Sequence, residues 1–171
     1  MTVKDLPVNK NPLSPLGFKF VISRLPSTVF FCQSVSMPGI QLNNFTTPNP
    51  FIKLNLAGTE LNFGSLSLRF QVDEDMKNYM ELYNWMIGLG FPDNFSQYAN
   101  LAKDLDGNKG LFSDASLLIT TSSKNPNIEI TFIDIFPIEL TNLLFDSTKN
   151  DVQYITADIT FSIRKFNINS I

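Results

Sequence analysis

Apolar and polar side chains alternate through much of this 171-residue chain, the period of a strand with one buried face. Phe18, Phe20 and Ile22 alternate with Lys19, Val21 and Ser23 and predict a first strand, closed by a turn at Leu25 and Pro26. A second strand is expected over residues 29–35, carrying Phe30, Phe31 and Cys32 and stopped by Met37, Pro38 and Gly39. Residues 41–56 begin polar, hold Pro48 and Pro50, and then alternate Phe51, Lys53 and Asn55 with Ile52, Leu54 and Leu56. They predict a long protruding hairpin with a proline-bearing tip, followed by a turn at Ala57, Gly58 and Thr59. Residues 65–72 give the clearest alternation, with Leu66, Leu68, Phe70 and Val72 on one face.

The period then changes. Asp73, Glu74 and Asp75 favour a helix N-terminus, and Met76, Tyr79, Met80, Tyr83 and Ile87 recur at spacings of three and four, predicting a helix that lays this stripe on a sheet. Gly88 and Gly90 read as its C-terminal cap and Phe91-Pro92 as its stop. Residues 93–114 predict a long surface loop with at most one helical turn. Strands follow over 117–121 and 127–134, joined by a turn at 122–126, with Phe136-Pro137 breaking the second. Residues 152–166 form a last strand, Ile155, Ala157, Ile159, Phe161 and Ile163 opposite Thr156, Asp158, Thr160, Ser162 and Arg164, too long for an ordinary sandwich. The sum is a mainly β fold: a small antiparallel β-barrel or sandwich with one flanking α-helix and a long protruding hairpin. Residues 1–16, with three prolines and no period, predict an irregular arm, and residues 17–171 a single domain.

Composition narrows the chemistry. Charged residues make up only 17% of the chain and aromatics 12%, with 16 Phe, so part of the apolar surface is expected to meet other subunits. A net charge of −3 without clustered Lys and Arg argues against a tight nucleic-acid binder. One cysteine excludes an internal disulfide or a Cys-based zinc cluster and fits a reducing compartment. No apolar run reaches the roughly 18 residues of a membrane span, and the first fifteen residues lack the apolar segment of a signal peptide, so cytoplasmic synthesis without membrane binding is expected.

With no histidine, the Ser-His-Asp and Cys-His systems and His-based metal sites fall away. Asp73 to Asp75 suit a helix start better than a glycosidase pair. Asp104, Asp106 and Asn108 are spaced like the start of an EF-hand, yet the twelfth position is Ala115, so a solvated loop is expected instead of a calcium site. The Gly88-x-Gly90 pair follows a helix and so does not cradle a phosphate. Trp85 with Tyr79 and Tyr83 offers a stacking platform, although packing on a sheet accounts for both tyrosines. Cys32 reads as a small buried hydrophobe. No enzyme activity, cofactor or metal is expected.

Phe18-Lys19-Phe20-Val21-Ile22, Phe31-Cys32-Gln33, Met37-Pro38-Gly39, Leu56-Ala57-Gly58, the strand into Asp73-Glu74, the Trp85 helix, Phe136-Pro137, Leu144-Phe145-Asp146 and the strand from Ile155 to Phe161 occur in an order that resembles the tail tube proteins of contractile-tailed bacteriophages, whose fold is shared with type VI secretion tube proteins. The resemblance, over residues 17–166, implies homo-hexameric rings with a sheet-lined lumen that stack through the long hairpin. Here that is residues 41–56, with Asn44, Pro48, Pro50, Phe51 and Lys53 at the contact. It implies tube rings, tail sheath and baseplate proteins as partners, transient contact with genomic DNA, and a place in the virion tail. Six copies at −3 each would give about −18 per ring, a wall that repels phosphate, with Asp158 the first lumen candidate, Glu129 the second, and Thr156 and Thr160 beside Asp158. Residues 91–114 are long for that family and the arm differs from its usual opening, which leaves a baseplate tube-initiator or tail-terminal adaptor ring as an alternative. A more remote one is a carbohydrate-binding or hydrolytic β-domain using Trp85 and the carboxylates.

Overall fold

The computed structural model describes residues 11–103, 110–148 and 154–171. Its strands are β1 (Phe18–Ile22), β2 (Cys32–Ser36), β3 (Ile40–Thr47), β4 (Leu54–Phe63), β5 (Leu66–Gln71), β6 (Ser113–Thr120), β7 (Pro126–Leu140), β8 (Thr156–Ser162) and β9 (Lys165–Ser170). The helices are α1 (Pro26–Phe30), α2 (Lys77–Gly90) and α3 (Phe95–Lys103). One antiparallel sheet runs β1-β6-β7-β8-β5-β2, with β9 also on β7, and β3 and β4 form a separate two-stranded sheet. The fold is mainly β and sandwich-like, as the alternation predicts. The barrel alternative is not realised, because the outer strands β1 and β2 do not pair.

The architecture turns on β7. Its first half pairs with β6 and β9 and its second half with β8, so this 15-residue strand passes from one layer into the other. The corner is at Asp134, which adopts a left-handed φ of 54°. Its N–H donates to Asp114 Oδ1 (3.0 Å), and its carboxylate pairs with Arg164 (2.9 Å). Inside the corner, Phe20, Ile22, Leu66, Leu68, Phe70, Ile130, Phe132, Ile159 and Phe161 close one core, with Leu82 and Trp85 of α2 packed upon it.

Several local expectations differ from what forms. Over 29–35 the first part is helical: Pro26 lacks an N–H and has the φ of a first helical turn, Val29 donates to Leu25 O, and β2 begins only at Cys32. No turn interrupts 57–59. Gly58 lies within β4 at a register shift, so close to β3 that a Cβ there would meet Asn43 O at 2.4 Å, and the hairpin extends from Ile40 to Phe63. Phe136-Pro137 does not end β7, because the proline falls at a bulge where its missing donor disturbs the ladder least. The last strand is two segments, β8 and β9, interrupted at Ile163 and Arg164 but lying along the same edge of β7. Residues 152 and 153 of that expectation lie outside the described residues.

The helical region is corrected most. Asp73 does cap α2, accepting the Lys77 N–H at 3.0 Å. The buried face, however, is Asn78, Leu82, Trp85 and Gly88, whereas Met80 and Tyr83 are each 52% exposed. Asn78 sets this phase: its side chain donates to Gln71 O (2.8 Å) and accepts the Asp73 N–H (3.3 Å), tying the helix to the end of β5. Of the expected stripe, Tyr79 keeps partial burial and donates its hydroxyl to Thr141 O (3.3 Å). The cap is neither glycine, since the helix runs through both and ends on Phe91 at φ 36°. Gly88 instead allows close approach of α3, as a Cβ there would lie 3.0 Å from Leu101. Helix α3 occupies the region expected to be loop, opened by Asn94 accepting the Ser96 N–H (2.9 Å).

Candidate functional site: the hairpin and the polar sheet face

A hairpin of two strands has no second layer to bury either face against. All of β3 is exposed, and so is all of β4 except Gly58 and Phe63. Cross-strand pairs match apolar with apolar: Ile40 with Phe63, Leu42 with Leu61, Phe45 with Leu56. Each exposed member of those pairs keeps about half of its surface in solvent. Phe63 anchors the base against Phe166 of β9, ring centroids 5.5 Å apart. Polar contacts are few: Thr46 donates to Asn55 Oδ1 (3.2 Å), and Phe51 N–H to Asn49 Oδ1 (3.3 Å) at the tip.

Of the residues expected at this contact, Asn44 lies in β3 opposite Ala57, and Pro48, Pro50, Phe51 and Lys53 lie in the exposed connection between the strands. Phe51 is 96% exposed. The alternation bounds the hairpin at residues 41 and 56, which leaves Ile40, Leu61 and Phe63 of its apolar ladder outside. Eight large apolar residues from Ile40 to Leu61 are at least 46% exposed. Contiguous apolar surface of that kind marks a partner site more often than free surface.

The second surface is the outward face of β5 and β8. Thr156, Asp158 and Thr160 alternate with the buried Ala157, Ile159 and Phe161, so one register brings all three to the outside. Opposite them on β5 stand Gln71, Arg69 and Ser67. Arg69 grips Asp158 with two hydrogen bonds, 2.7 and 2.8 Å, and Thr141 donates no charge but accepts the Asp158 N–H at 2.8 Å. The guanidinium hydrogen bonds hold the Asp158 carboxyl below the usual carboxylate range. The patch is therefore polar and locally neutral, and the expected acidic wall has its first candidate matched by a cation. Glu129 is not part of it. It lies in the first half of β7, between Leu118 of β6 and Asn169 of β9 and before the corner at Asp134, whereas β8 pairs only with the second half.

Trp85 is 2% exposed, donates to Leu111 O (3.2 Å) and lies under the Arg24 guanidinium (5.0 Å), so its ring is not a free stacking platform. Burial raises the Cys32 thiol to about 11, as expected of a small hydrophobe. Among the described residues no cluster of His, Cys, Asp or Glu is arranged to hold a metal, and the Asp104, Asp106, Asn108 spacing lies outside them. Among the described residues no helix is long and apolar enough to cross a membrane.

No protein-family model matches the chain, and no curated protein matches it. Solved structures do share its architecture. It is similar at TM-score 0.65 and 16% identity, over 100% of this chain and 99% of the other, to a chain in the sheath-tube complex of an extracellular contractile injection system, PVC, in the extended state. Similarity at TM-score 0.65 and 18% identity, over 99% and 98%, extends to a chain in the tube terminating cap of the anti-feeding prophage. A chain in the baseplate of the anti-feeding prophage gives 0.59 and 13% over 89% and 90%. The chain therefore has a tail-tube-like fold, the one found in the tube, cap and baseplate assemblies of contractile injection systems.

Proposed function

We propose that the chain is a structural subunit of a contractile phage tail, forming hexameric rings that stack into a channel for DNA ejection. The carrying observation is the exposed apolar hairpin, surface of the kind that marks a partner contact. In this reading Asn44, Pro48, Pro50, Phe51 and Lys53 make ring-to-ring contact. The outward face with Thr156, Asp158 and Thr160 lines the lumen. Its neutral Arg69–Asp158 pairing gives a wetted wall on which a duplex slides without binding. The subunit is made in the host cytoplasm, works in the virion tail, and meets sheath and baseplate proteins outside the channel.

Deleting residues 44–51 tests this: the shortened protein should fold and fail to polymerise, and normal polymerisation would refute the hairpin's role. The similarity to a terminating cap, equal in TM-score to that of the sheath-tube complex, supports a second reading as an initiator or terminal adaptor ring. Copy number separates them: a tube subunit is among the most abundant proteins of the particle, and an adaptor fills about one ring.

A further inference from the structure

The apolar ladder of the hairpin changes sides at its middle. Residues directly opposed across two strands lie on one face, and neighbours along a strand lie on opposite faces. Ile40, Leu42, Leu61 and Phe63 therefore share one face at the base, the face that Phe63 turns toward Phe166 of β9. Past the polar pair Asn43 and Asn44 the apolar positions fall out of phase with the base, so Phe45, Leu54 and Leu56 gather on the opposite face toward the tip. Side-chain bonds agree with both halves: Asn43 donates to Glu60 Oε2 (3.5 Å) on the face away from Leu42 and Leu61, and Thr46 to Asn55 Oδ1 on the face away from Phe45 and Leu56.

The register shift separates these halves. Between the pairs Leu42–Leu61 and Asn44–Ala57, β3 passes only Asn43, whereas β4 passes Gly58, Thr59 and Glu60. Without the shift Phe45 would stand opposite Gly58 and Leu56 opposite Thr47; with it, Phe45 meets Leu56. A Cβ on residue 58 would lie 2.4 Å from Asn43 O and 2.8 Å from Asn43 C, backbone atoms that cannot turn aside as a side chain can. The strands close at the shift because residue 58 is glycine. We propose that Gly58 is a positioning residue for the hairpin contact: its missing side chain lets the tip half pair in the shifted register, and that register aims the contact residues. Asn44 stands opposite Ala57 beside the shift, and Pro48, Pro50, Phe51 and Lys53 lie in the connection beyond it, so all five move with the tip half. This rests on the reading of the hairpin as the ring-to-ring contact and names the residue that directs it.

The test compares full-length Gly58→Ala with Thr59→Ala, an exposed neighbour in the same strand. Both should keep the parent's unfolding transition by Trp85 fluorescence, since neither residue belongs to the core. Each is also made with Thr46→Cys and Asn55→Cys, directly opposed residues whose Cα atoms, about 4.5–5.5 Å apart in an antiparallel pair, suit a disulfide. Peptide mapping separates that bridge from any that involves Cys32. Gly58→Ala should lose the bridge and weaken self-association about tenfold or more, and Thr59→Ala should keep both. Retention of bridge and association by Gly58→Ala would overturn the inference. Loss of association with the bridge intact would overturn it as well, because the tip would still be in register, and so would loss of the Trp85 transition, which would make Gly58 a requirement of the core. If the bridge is lost and association stays, the deletion of residues 44–51 separates the two claims: a deletion that abolishes association overturns the role of Gly58 alone, and one that leaves it overturns the hairpin reading too.

Discussion

Leu82 and Tyr83 are adjacent on α2 and have opposite fates in the fold, so truncating each to Ala tests the packing phase of the helix. Leu82 is fully buried. Its truncation removes about three methylene equivalents at about 0.8 kcal/mol each and leaves a cavity beside Trp85 and the β-sheet core, a total of about 3–4 kcal/mol. In a chain of this length each kcal/mol lowers Tm by about 2–4 °C, so Leu82→Ala should fall by about 10 °C. Tyr83 is 52% exposed, and its truncation opens no cavity. Alanine is also the better helix former by about 0.5 kcal/mol, so Tyr83→Ala should stay within about 1 kcal/mol of the parent. Thermal unfolding followed by the fluorescence of Trp85, the sole tryptophan and 2% exposed, reads both variants. A larger loss for Tyr83→Ala than for Leu82→Ala would place the helix in the phase read from the sequence and refute the packing described above.

Asn78→Leu should cost about 1–3 kcal/mol in chemical denaturation although it adds apolar volume, because it strands the Gln71 carbonyl and the Asp73 N–H. The Asp158 carboxyl has a depressed pKa in the folded state, so its pairing with Arg69 stabilises above the ordinary carboxylate range and is lost as pH falls below about 4. The Tm difference between parent and Asp158→Asn should accordingly be small at pH 7, shrink in high salt and diminish progressively as pH falls below the ordinary carboxylate range. At the β7 corner, Asp134→Val should cost about 1–3 kcal/mol by forcing a β-branched residue to φ 54°, whereas Asp134→Gly should be near neutral in the same measurement.

Strand alternation was legible wherever one face is buried and the other wet, which is why β1, β5 and β8 fall where Phe18 to Ile22, Leu66 to Phe70 and Ala157 to Phe161 place them. Apolar runs without alternation were not legible. Val29, Phe30, Phe31 and Cys32 fit a strand as well as a helix end, and the deciding residue was Pro26, upstream of the run. Helix α2 offers two stripes at spacings of three and four. Its phase was misread because a buried polar residue, Asn78, lies on the packed side, and only the carbonyl it reaches reveals that. Helix α3 was hidden by polar composition, although Asn94 as cap with Phe95, Tyr98 and Leu101 at intervals of three was a usable signal. At the polar face, the sequence brought Thr156, Asp158 and Thr160 together by period alone. The cation facing Asp158 depends on strand order, since Arg69 lies 89 residues away.

The central claim is assembly around a channel, and it is tested most directly by electron microscopy of the purified full-length protein across a range of concentrations. Six-fold rings with an open centre, stacking into tubes as concentration rises, are the predicted result. Particles that remain single copies or irregular aggregates at every concentration, with the hairpin intact, would contradict it.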